Sequence, residues 1–468
     1  MHPLLFMMHL VAYPLLTTAA AAQESQPRPN FVIFLVDDLA WNDLGYSGSD
    51  FHHTPNIDRL AAEGMVFSDA YANAANCLPS RAAIMSGQYP PRTGVYTVNP
   101  TTRGKRENRR LIPASNNNQL SGDVITLAER LQESGYATAH VGKWHLGRPN
   151  TAAGPLAQGF DVNIGGYQRG HPKSYFSPYQ NPALDDGPKG EYLTDHLANE
   201  AAEFIRDNAN KAFFLHYAPY SVHTPIQPRP DLEAKAKARP RGDTHSDAPY
   251  AAMVEAIDEA LGLVLDTLEE LDIADQTLVI FSSDNGGHGT ISNPKPLRGS
   301  KGTPHEGGTR VPLVVRWTDA IEPGSTSDQP VLLFDLYPTL LDLADIAQPT
   351  DQPIDGVSLK PLLTGETTRL PQRSLFWHFP AYLEAYRGMQ GDWRATPYSA
   401  IRSGRWKLIQ QFETDSLELY DLATDEGETT NLIGSHADIA ERMLTLLTRW
   451  QSETGAPASF QRNPEYRP

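Results

Sequence analysis

The sequence predicts an α/β fold, a large mixed and mostly parallel sheet sandwiched by helices, with a smaller C-terminal antiparallel sheet and helix behind it. Three observations carry this. Continuous apolar runs alternate with amphipathic helical patterns through the first 350 or so positions. Polar clusters recur where those runs end. Past about residue 350 the texture changes to short, aromatic, alternating runs. A chain of 468 residues exceeds one ordinary core, so a catalytic unit at 23–350 and a C-terminal α+β unit at 351–468 are expected behind a leader at 1–22.

The leader is read from an apolar stretch at 4–16 that runs into the small residues 17–22 before Gln23. It is too short to span a bilayer, so the chain is expected to be periplasmic or secreted, without stable membrane insertion. Its n-region has only His2 and the free amino terminus as positive charge. A formal charge of −17 leaves no surplus of Lys and Arg to neutralise phosphates, which argues against a general nucleic-acid binder and leaves room for a local basic site.

Phe31-Val32-Ile33-Phe34-Leu35-Val36 is the first run of the kind buried on both faces of a parallel sheet, followed by runs at 137–141, 213–217 and 277–281. Helical patterns lie between them at about 56–63, 124–134, 193–209 and 247–271. In such folds the chemistry sits outside the carboxyl ends of the strands. Asp37-Asp38 closes the first run, Lys143-Trp144-His145 the second, His223 comes shortly after the third, and Asp284-Asn285-Gly286-Gly287 closes the fourth. Further on, Tyr398 to Arg402 and Trp406 to Ile409 alternate as antiparallel strands do, ahead of a helix at about 436–451.

Asp37, Asp38, Asp284 and Asn285 offer hard oxygen ligands of the type that calcium or magnesium takes. Asp-Asp and Asp-Asn-Gly are also turn formers. Each pair alone supports either reading, and two pairs closing two apolar strands favour a divalent cation. The lone cysteine, Cys77, has no disulfide partner and lacks the companions of a structural zinc site, so it is an inert buried thiol or a residue kept for its chemistry.

Its neighbours decide between these. Cys77-Leu78-Pro79-Ser80-Arg81 resembles the modification signature of the type I formylglycine-dependent sulfatases, with Ser86 where the common ending has threonine. The blocks around Lys143 and His145, His223-Thr224-Pro225, Gly299-Ser300-Lys301-Gly302 and Glu306 to Pro312 are similar to sulfatase blocks in order and spacing, and Glu418 to Leu422 resembles the family's closing motif. The resemblance implies an alkaline-phosphatase-like fold and hydrolysis of a sulfate ester. It implies that a formylglycine-generating maturation enzyme converts Cys77 to Cα-formylglycine (3-oxoalanine). It also implies Ca2+ held by Asp37, Asp38, Asp284, Asn285 and modified Cys77. Sulfate transfer puts charge on oxygens around sulfur, so the cations of these blocks suit it: Arg81, Lys143, His145, His223 and Lys301. The resemblance gives them the roles of holding the anion, protonating the departing oxygen (His223, Lys301) and releasing sulfate (His145). Pro79 suits the first turn of a helix whose amino end faces negative charge.

The motifs specify sulfate and leave the alcohol open. An insertion at 101–118 carries Arg103, Lys105, Arg106, Arg109 and Arg110, which reads as a solvated loop or as a substrate subsite for further anionic groups of a polysaccharide. Aromatic side chains at His171, Tyr175, Tyr179, Trp377, His378 and Trp393 are candidates for stacking on sugar rings. A sulfated carbohydrate is therefore the expected substrate. The alternatives are a phosphonate monoester or phosphodiester hydrolase of the same superfamily, and a sulfated-glycan-binding pseudoenzyme.

Overall fold

In a computed structural model that describes residues 28–98, 100–318 and 320–467, an eight-stranded sheet forms the frame. Its spatial order is Val162–Ile164, Ala137–Gly142, Phe213–Ala218, Asn30–Val36, Thr277–Ser283, Leu313–Arg316, Met65–Phe67 and Ser325–Ser327. The first five run parallel, Leu313–Arg316 is antiparallel to both its neighbours, and the last pair is parallel again. The leader expected at 1–22 lies outside the described residues.

Asn30–Val36 is central and buried along its whole length, because its side chains alternate between two covered faces. Val32, Phe34 and Val36 join one core with Ile57, Leu197, Leu261 and Leu265, from the helices Pro55–Glu63, Leu193–Asn208 and Ala248–Glu270. Phe31, Ile33 and Leu35 join a second core with Leu78 and Ala82 of the helix Cys77–Ser86, Leu131 of Leu127–Glu133 and Leu340 of Leu336–Leu343. Apolar residues on both faces are what made these strands readable as continuous runs.

The helix expected from 124 begins at Leu127 because Thr126 caps it: its hydroxyl accepts from Glu129 N at 3.1 Å and its own N–H donates to Glu129 Oε2 at 2.7 Å. Asp247 starts the long helix in the same way, accepting from Tyr250 N at 2.9 Å.

The C-terminal segment builds a four-stranded antiparallel sheet in the order Ser374–Phe379, Tyr398–Ser403, Trp406–Gln411, Ser416–Asp421, with the helix Ala437–Thr454 packed on it. Its core is continuous with the first part of the chain through Tyr71, Tyr89 and Phe334. A buried ion cluster also crosses that seam: Lys407 Nζ donates to Glu306 Oε1 at 2.8 Å and lies 3.0 Å from Glu428 Oε1. Four of the aromatic side chains considered for sugar stacking belong to these interiors instead. Tyr175, Tyr179, Trp377 and His378 are all buried. The Tyr175 hydroxyl donates to the carbonyls of Tyr220 and His223, and Trp377 Nε1 donates to the Ala72 carbonyl. Their flat faces are used up by packing.

Candidate active site

Strand register assembles the site. Val36 pairs with Ser283 in the parallel ladder, so Asp37 and Asp284 leave the sheet side by side, with Asp284 N donating to Val36 O at 3.0 Å and Asp37 N to Ser221 O at 3.2 Å. Gly142 pairs with Ala218, and Lys143 N donates to Ala218 O at 2.6 Å. Asp38 and His145 then take the left-handed conformation, with φ of 65° and 67°. That backbone is costly for residues with a side chain and is found where a site requires it. Gly170 makes room for His145: a Cβ on it would lie 2.3 Å from the imidazole Cε1.

Cys77 is the first residue of its helix, with Asn76 extended before it, and Arg81 follows one turn later on the same face. Ser80 ties the approaching loop, its hydroxyl accepting from Ala74 N at 3.2 Å and donating to Ala74 O at 3.1 Å.

Each buried carboxylate has its own cation. Lys143 Nζ donates to Asp37 Oδ2 at 2.6 Å, Arg81 Nε to Asp284 Oδ2 at 2.7 Å, and Lys301 Nζ to both Asp38 oxygens at 2.5 and 2.8 Å. Arg81 also donates to the Lys143 carbonyl at 2.7 Å, and Asn285 Nδ2 to Asp38 Oδ1 at 2.8 Å. Lys301 Nζ stands 4.0 Å from Cys77 Sγ, and His223 Nε2 stands 3.6 Å from Asp38 Oδ2. The His223 Nδ1–H donates to the Thr224 carbonyl at 2.8 Å, which turns Nε2 towards Asp38.

Burial raises the Asp37 carboxyl to about 8 against the pull of Lys143, with Asp284 and Asp38 adding to the rise. For Asp38 burial pushes the same way, and Lys301 with His223 more than reverses it, holding the carboxyl well below the usual range. Burial lowers His223 to about 3 and drives His145 well below its ordinary value, and the lysines beside both add to this. Burial raises the Cys77 thiol although Lys143 and Lys301 oppose it, so it is a poor thiolate nucleophile as it stands.

Two oxygens stay unsatisfied: Asp37 Oδ1 and Asn285 Oδ1 are buried and have no hydrogen-bond partner. Asp37, Cys77 and Asp284 present ligand atoms within 4.8 Å of one another, as do Asp37, Asp38 and His223. Orphaned hard oxygens beside three carboxylates fit a hard divalent cation. The Cys77 sulfur is the misfit in that set, and an oxygen at position 77 would remove it.

The site opens on a cavity of about 290 Å3 lined by Cys77, Arg103, His145, His223 and Lys301, among others. The ten residues expected at the core of the site converge here. The basic insertion does not converge as expected, and only Arg103 reaches the cavity. Arg109 is buried and donates to the carbonyls of Thr102, Arg103 and Gly104 at 2.6, 2.8 and 3.1 Å, so it folds its own loop. Arg106 pairs with Glu465, and Arg110 bonds the Tyr466 hydroxyl. A subsite made of Arg106, Arg109 and Arg110 is thus corrected: these side chains serve the loop and the C-terminal segment. Trp393, also considered for stacking, packs on Tyr382 and donates to the Asn108 carbonyl.

Sequence reasoning missed three lining residues, His288, Tyr386 and Arg394. His288 directly follows the Asp284 to Gly287 cluster. Arg394 follows Trp393 in a short strand, so side-chain alternation turns it the opposite way from that tryptophan.

A helix-covered, mostly parallel sheet with an acidic cluster and a helix-borne residue at its carboxyl edge defines a hydrolase of the alkaline phosphatase superfamily. Residues 29–346 match the sulfatase family model, and residues 300–453 match that of the N-sulphoglucosamine sulphohydrolase C-terminal region. The chain belongs to the sulfatase family, and it is a sulfuric ester hydrolase. A sulfatase of Formosa agariphila is 35% identical over 96% of this chain and 94% of its own. Human N-acetylgalactosamine-6-sulfatase is 32% identical over 95% and 89%. The crystal structure of Ps i-CgsB with k-i-k-neocarrahexaose superposes with a TM-score of 0.76 at 29% identity, covering 92% of this chain and 95% of that one. A phosphonate monoester hydrolase of Agrobacterium radiobacter shares the fold at a TM-score of 0.65 and 21% identity, covering 91% and 96%.

Proposed function

We propose that the protein removes sulfate from a sulfated carbohydrate, using a Cα-formylglycine made from Cys77 and a calcium ion held by Asp37, Asp38, Asp284 and Asn285. The observation that carries this reading is the position of Cys77, at the amino end of its helix and in the lining of the cavity, beside two buried oxygens that lack partners. In this chain the Cys77 sulfur stands in for the oxygens of the modified residue. When present, Cα-formylglycine supplies a hydrated aldehyde whose hydroxyl is the nucleophile towards sulfur. When bound, calcium supplies the positive charge that favours the ionised hydroxyl.

The remaining work falls to side chains. Asp284 is the carboxylate nearest in role to a proton acceptor, with a ligand oxygen within 4.8 Å of the Cys77 sulfur. Arg81 holds Asp284 in place through Nε and ties it to the Lys143 segment. Lys143, Lys301 and the amino end of the Cys77–Ser86 helix hold the sulfate oxygens. Lys301 and His223 both line the cavity: Lys301 is charged and delivers the proton to the departing alcohol, and His223, neutral on its own, joins it once the negative charge of the bound sulfate raises its pKa. His145, also in the lining, assists release of the sulfate.

A sugar alcohol as leaving group is supported by two relatives: N-acetylgalactosamine-6-sulfatase by its name, and Ps i-CgsB by the neocarrahexaose bound to it. The same reading takes the protein to be exported on its leader, and no described helix is long and apolar enough to cross a membrane. The test is turnover of defined sulfated oligosaccharides, with product positions assigned by NMR, alongside an aryl sulfate and an aryl phosphodiester. Sulfate released from saccharides, with the aryl sulfate preferred over the phosphodiester, is the expected result. Faster turnover of the phosphodiester would overturn it.

A further inference from the structure

We propose that the cavity carries a second anion subsite, formed by Arg394, Tyr386 and Arg103, which selects a saccharide bearing a further sulfate or carboxylate beside the scissile sulfate. The inference rests on the carbohydrate-sulfatase reading above and narrows its substrate class.

Arg394 comes from the hairpin of Leu383–Glu384 and Trp393–Ala395, which is separate from the strand ends that hold the catalytic cluster. The loop 101–111 buttresses that hairpin. Thr102 bridges to Tyr382, Tyr382 N donates to Thr101 O at 3.3 Å, and Asn108 Nδ2 donates to Asp392 Oδ2 at 2.8 Å. The hairpin in turn rests on the catalytic loops. A Cβ on Gly302, next to Lys301, would lie 2.8 Å from Arg394 Nε, and one on Gly289 would lie 3.2 Å from the Tyr386 ring. Arg394 sits 3.9 Å over the centroid of Tyr386, whose ring is 4.4 Å from that of His288.

Two donors in this assembly have nothing to donate to: Arg394 Nε is buried without a hydrogen-bond partner, and the buried Tyr386 hydroxyl meets only the Gly289 backbone N–H, which cannot accept from it. Buried donors of this kind are normally satisfied, so an acceptor from outside the chain is called for. Arg103 donates to the Val98 carbonyl at 3.0 Å and lines the same cavity. Burial depresses both guanidinium groups, and the charge of Arg103 depresses Arg394 further, which puts two like charges within reach of one another. No carboxylate stands among the described residues that line the cavity; Glu384 acts on Arg103 and Asp38 on Arg394 without being among them. One sulfate ester carries a single negative charge, which under the proposed function is met at the Cys77 position by Lys301 and the amino end of the Cys77–Ser86 helix. Two further guanidinium groups match a second anion, and their planar forks suit the paired oxygens of a sulfate or a carboxylate. A cavity of about 290 Å3 is at the small end of ligand pockets, so that anion sits on the same sugar or its neighbour.

The experiment compares three oligosaccharides that differ at one position: one with a single sulfate, one with an added sulfate, and one with an added uronate carboxylate. An aryl sulfate serves as reference. The enzyme is expected to favour one of the doubly anionic substrates, and which one identifies the group. Arg394→Ala should raise KM for that substrate by about tenfold or more, while KM for the singly sulfated saccharide moves by less than about twofold. Arg394→Lys keeps the charge without the fork and should fall between. Should Arg394→Ala lose its melting transition, Arg394→Lys and Tyr386→Phe carry the same readout. Equal KM changes on singly and doubly anionic substrates, or a parent enzyme with no preference among the three, overturn the subsite alone. Turnover of the aryl sulfate with none of the saccharides overturns the carbohydrate reading and the subsite with it.

Discussion

Removing the divalent cation should stop turnover and yet leave the protein folded, and the charge pairing in the site says why. Asp37, Asp38 and Asp284 are each met by one cation, Lys143, Lys301 and Arg81, at 2.6, 2.5 and 2.7 Å. Were the three carboxylates unpaired, two charges at about 4.8 Å would repel by about 3 to 4 kcal/mol at an effective dielectric near 20. Two such pairs, Asp37 with Asp284 and Asp37 with Asp38, would together cost about 7 kcal/mol, which rivals the whole stability of a domain. With each carboxylate paired, and with Asp37 raised to about 8 so that it can also take up a proton, chelation removes only the mass-action term, about 2.7 kcal/mol if free calcium stood at a hundred times its dissociation constant. At about 2–4 °C per kcal/mol for a domain of moderate size, the melting temperature should fall by no more than about 10 °C. The assay is differential scanning calorimetry and aryl sulfate turnover before and after exhaustive chelation, with metal content measured by elemental analysis. Calcium added back should restore both. Full turnover in protein verified as metal-free would refute the ligand assignment. Global unfolding on chelation at 25 °C would refute the pairing argument.

Further outcomes follow from individual contacts. Protein made with a competent maturation system should carry an aldehyde at position 77 by peptide mass spectrometry, and Cys77→Ala should retain its melting transition while losing turnover; active enzyme holding only the thiol would contradict this. Arg109→Ala strips three carbonyls of their buried donor and should cost about 2–4 kcal/mol in chemical denaturation. Arg106→Ala and Arg110→Ala, on exposed pairs, should melt within experimental scatter of the parent. Burial pushes the Glu306 carboxyl up and Lys407 more than reverses it, to about 2 from 4.5, so the unfolded chain takes up this proton first. That contribution is present above about pH 4.5 and is lost as pH falls towards 2. It amounts to at most about 3 kcal/mol, because Glu428, raised by burial, works in the opposite direction. Glu306→Gln should flatten the acid limb of the stability profile, and an unchanged limb would remove Glu306 from it.

The parts of the fold that could be read in advance are those whose sequence signal is local. Asn30–Val36 and Thr277–Ser283 stood out because a strand covered on both faces has to be apolar at every position. The polar clusters of the candidate site stood out because they follow such strands. Met65–Phe67 and Ser325–Ser327 are three-residue strands, too short for periodicity to register, and they were not foreseen. Arginine density in the insertion was read as a surface, and burial of Arg109 against its own loop carbonyls turned that reading around. A side chain's direction in an irregular loop depends on which carbonyls fold back over it, and no local pattern records that.

By itself the sequence determined the long buried strands and the amphipathic helices, the cysteine signature and the set of charged residues from which the site is built, since each depends on neighbours within a few positions. Tertiary structure alone decided which charges meet. Parallel register sets Asp37 beside Asp284, although some 250 positions separate them. Docking of the C-terminal hairpin onto the 101–111 loop brings Arg394 and Tyr386 to a cavity that is also lined by Cys77, far earlier in the chain. Electrostatic attraction and hydrogen bonding act over a few ångströms of space whatever the separation along the chain, so this wall of the cavity came into being only when the hairpin packed against the catalytic unit's loops.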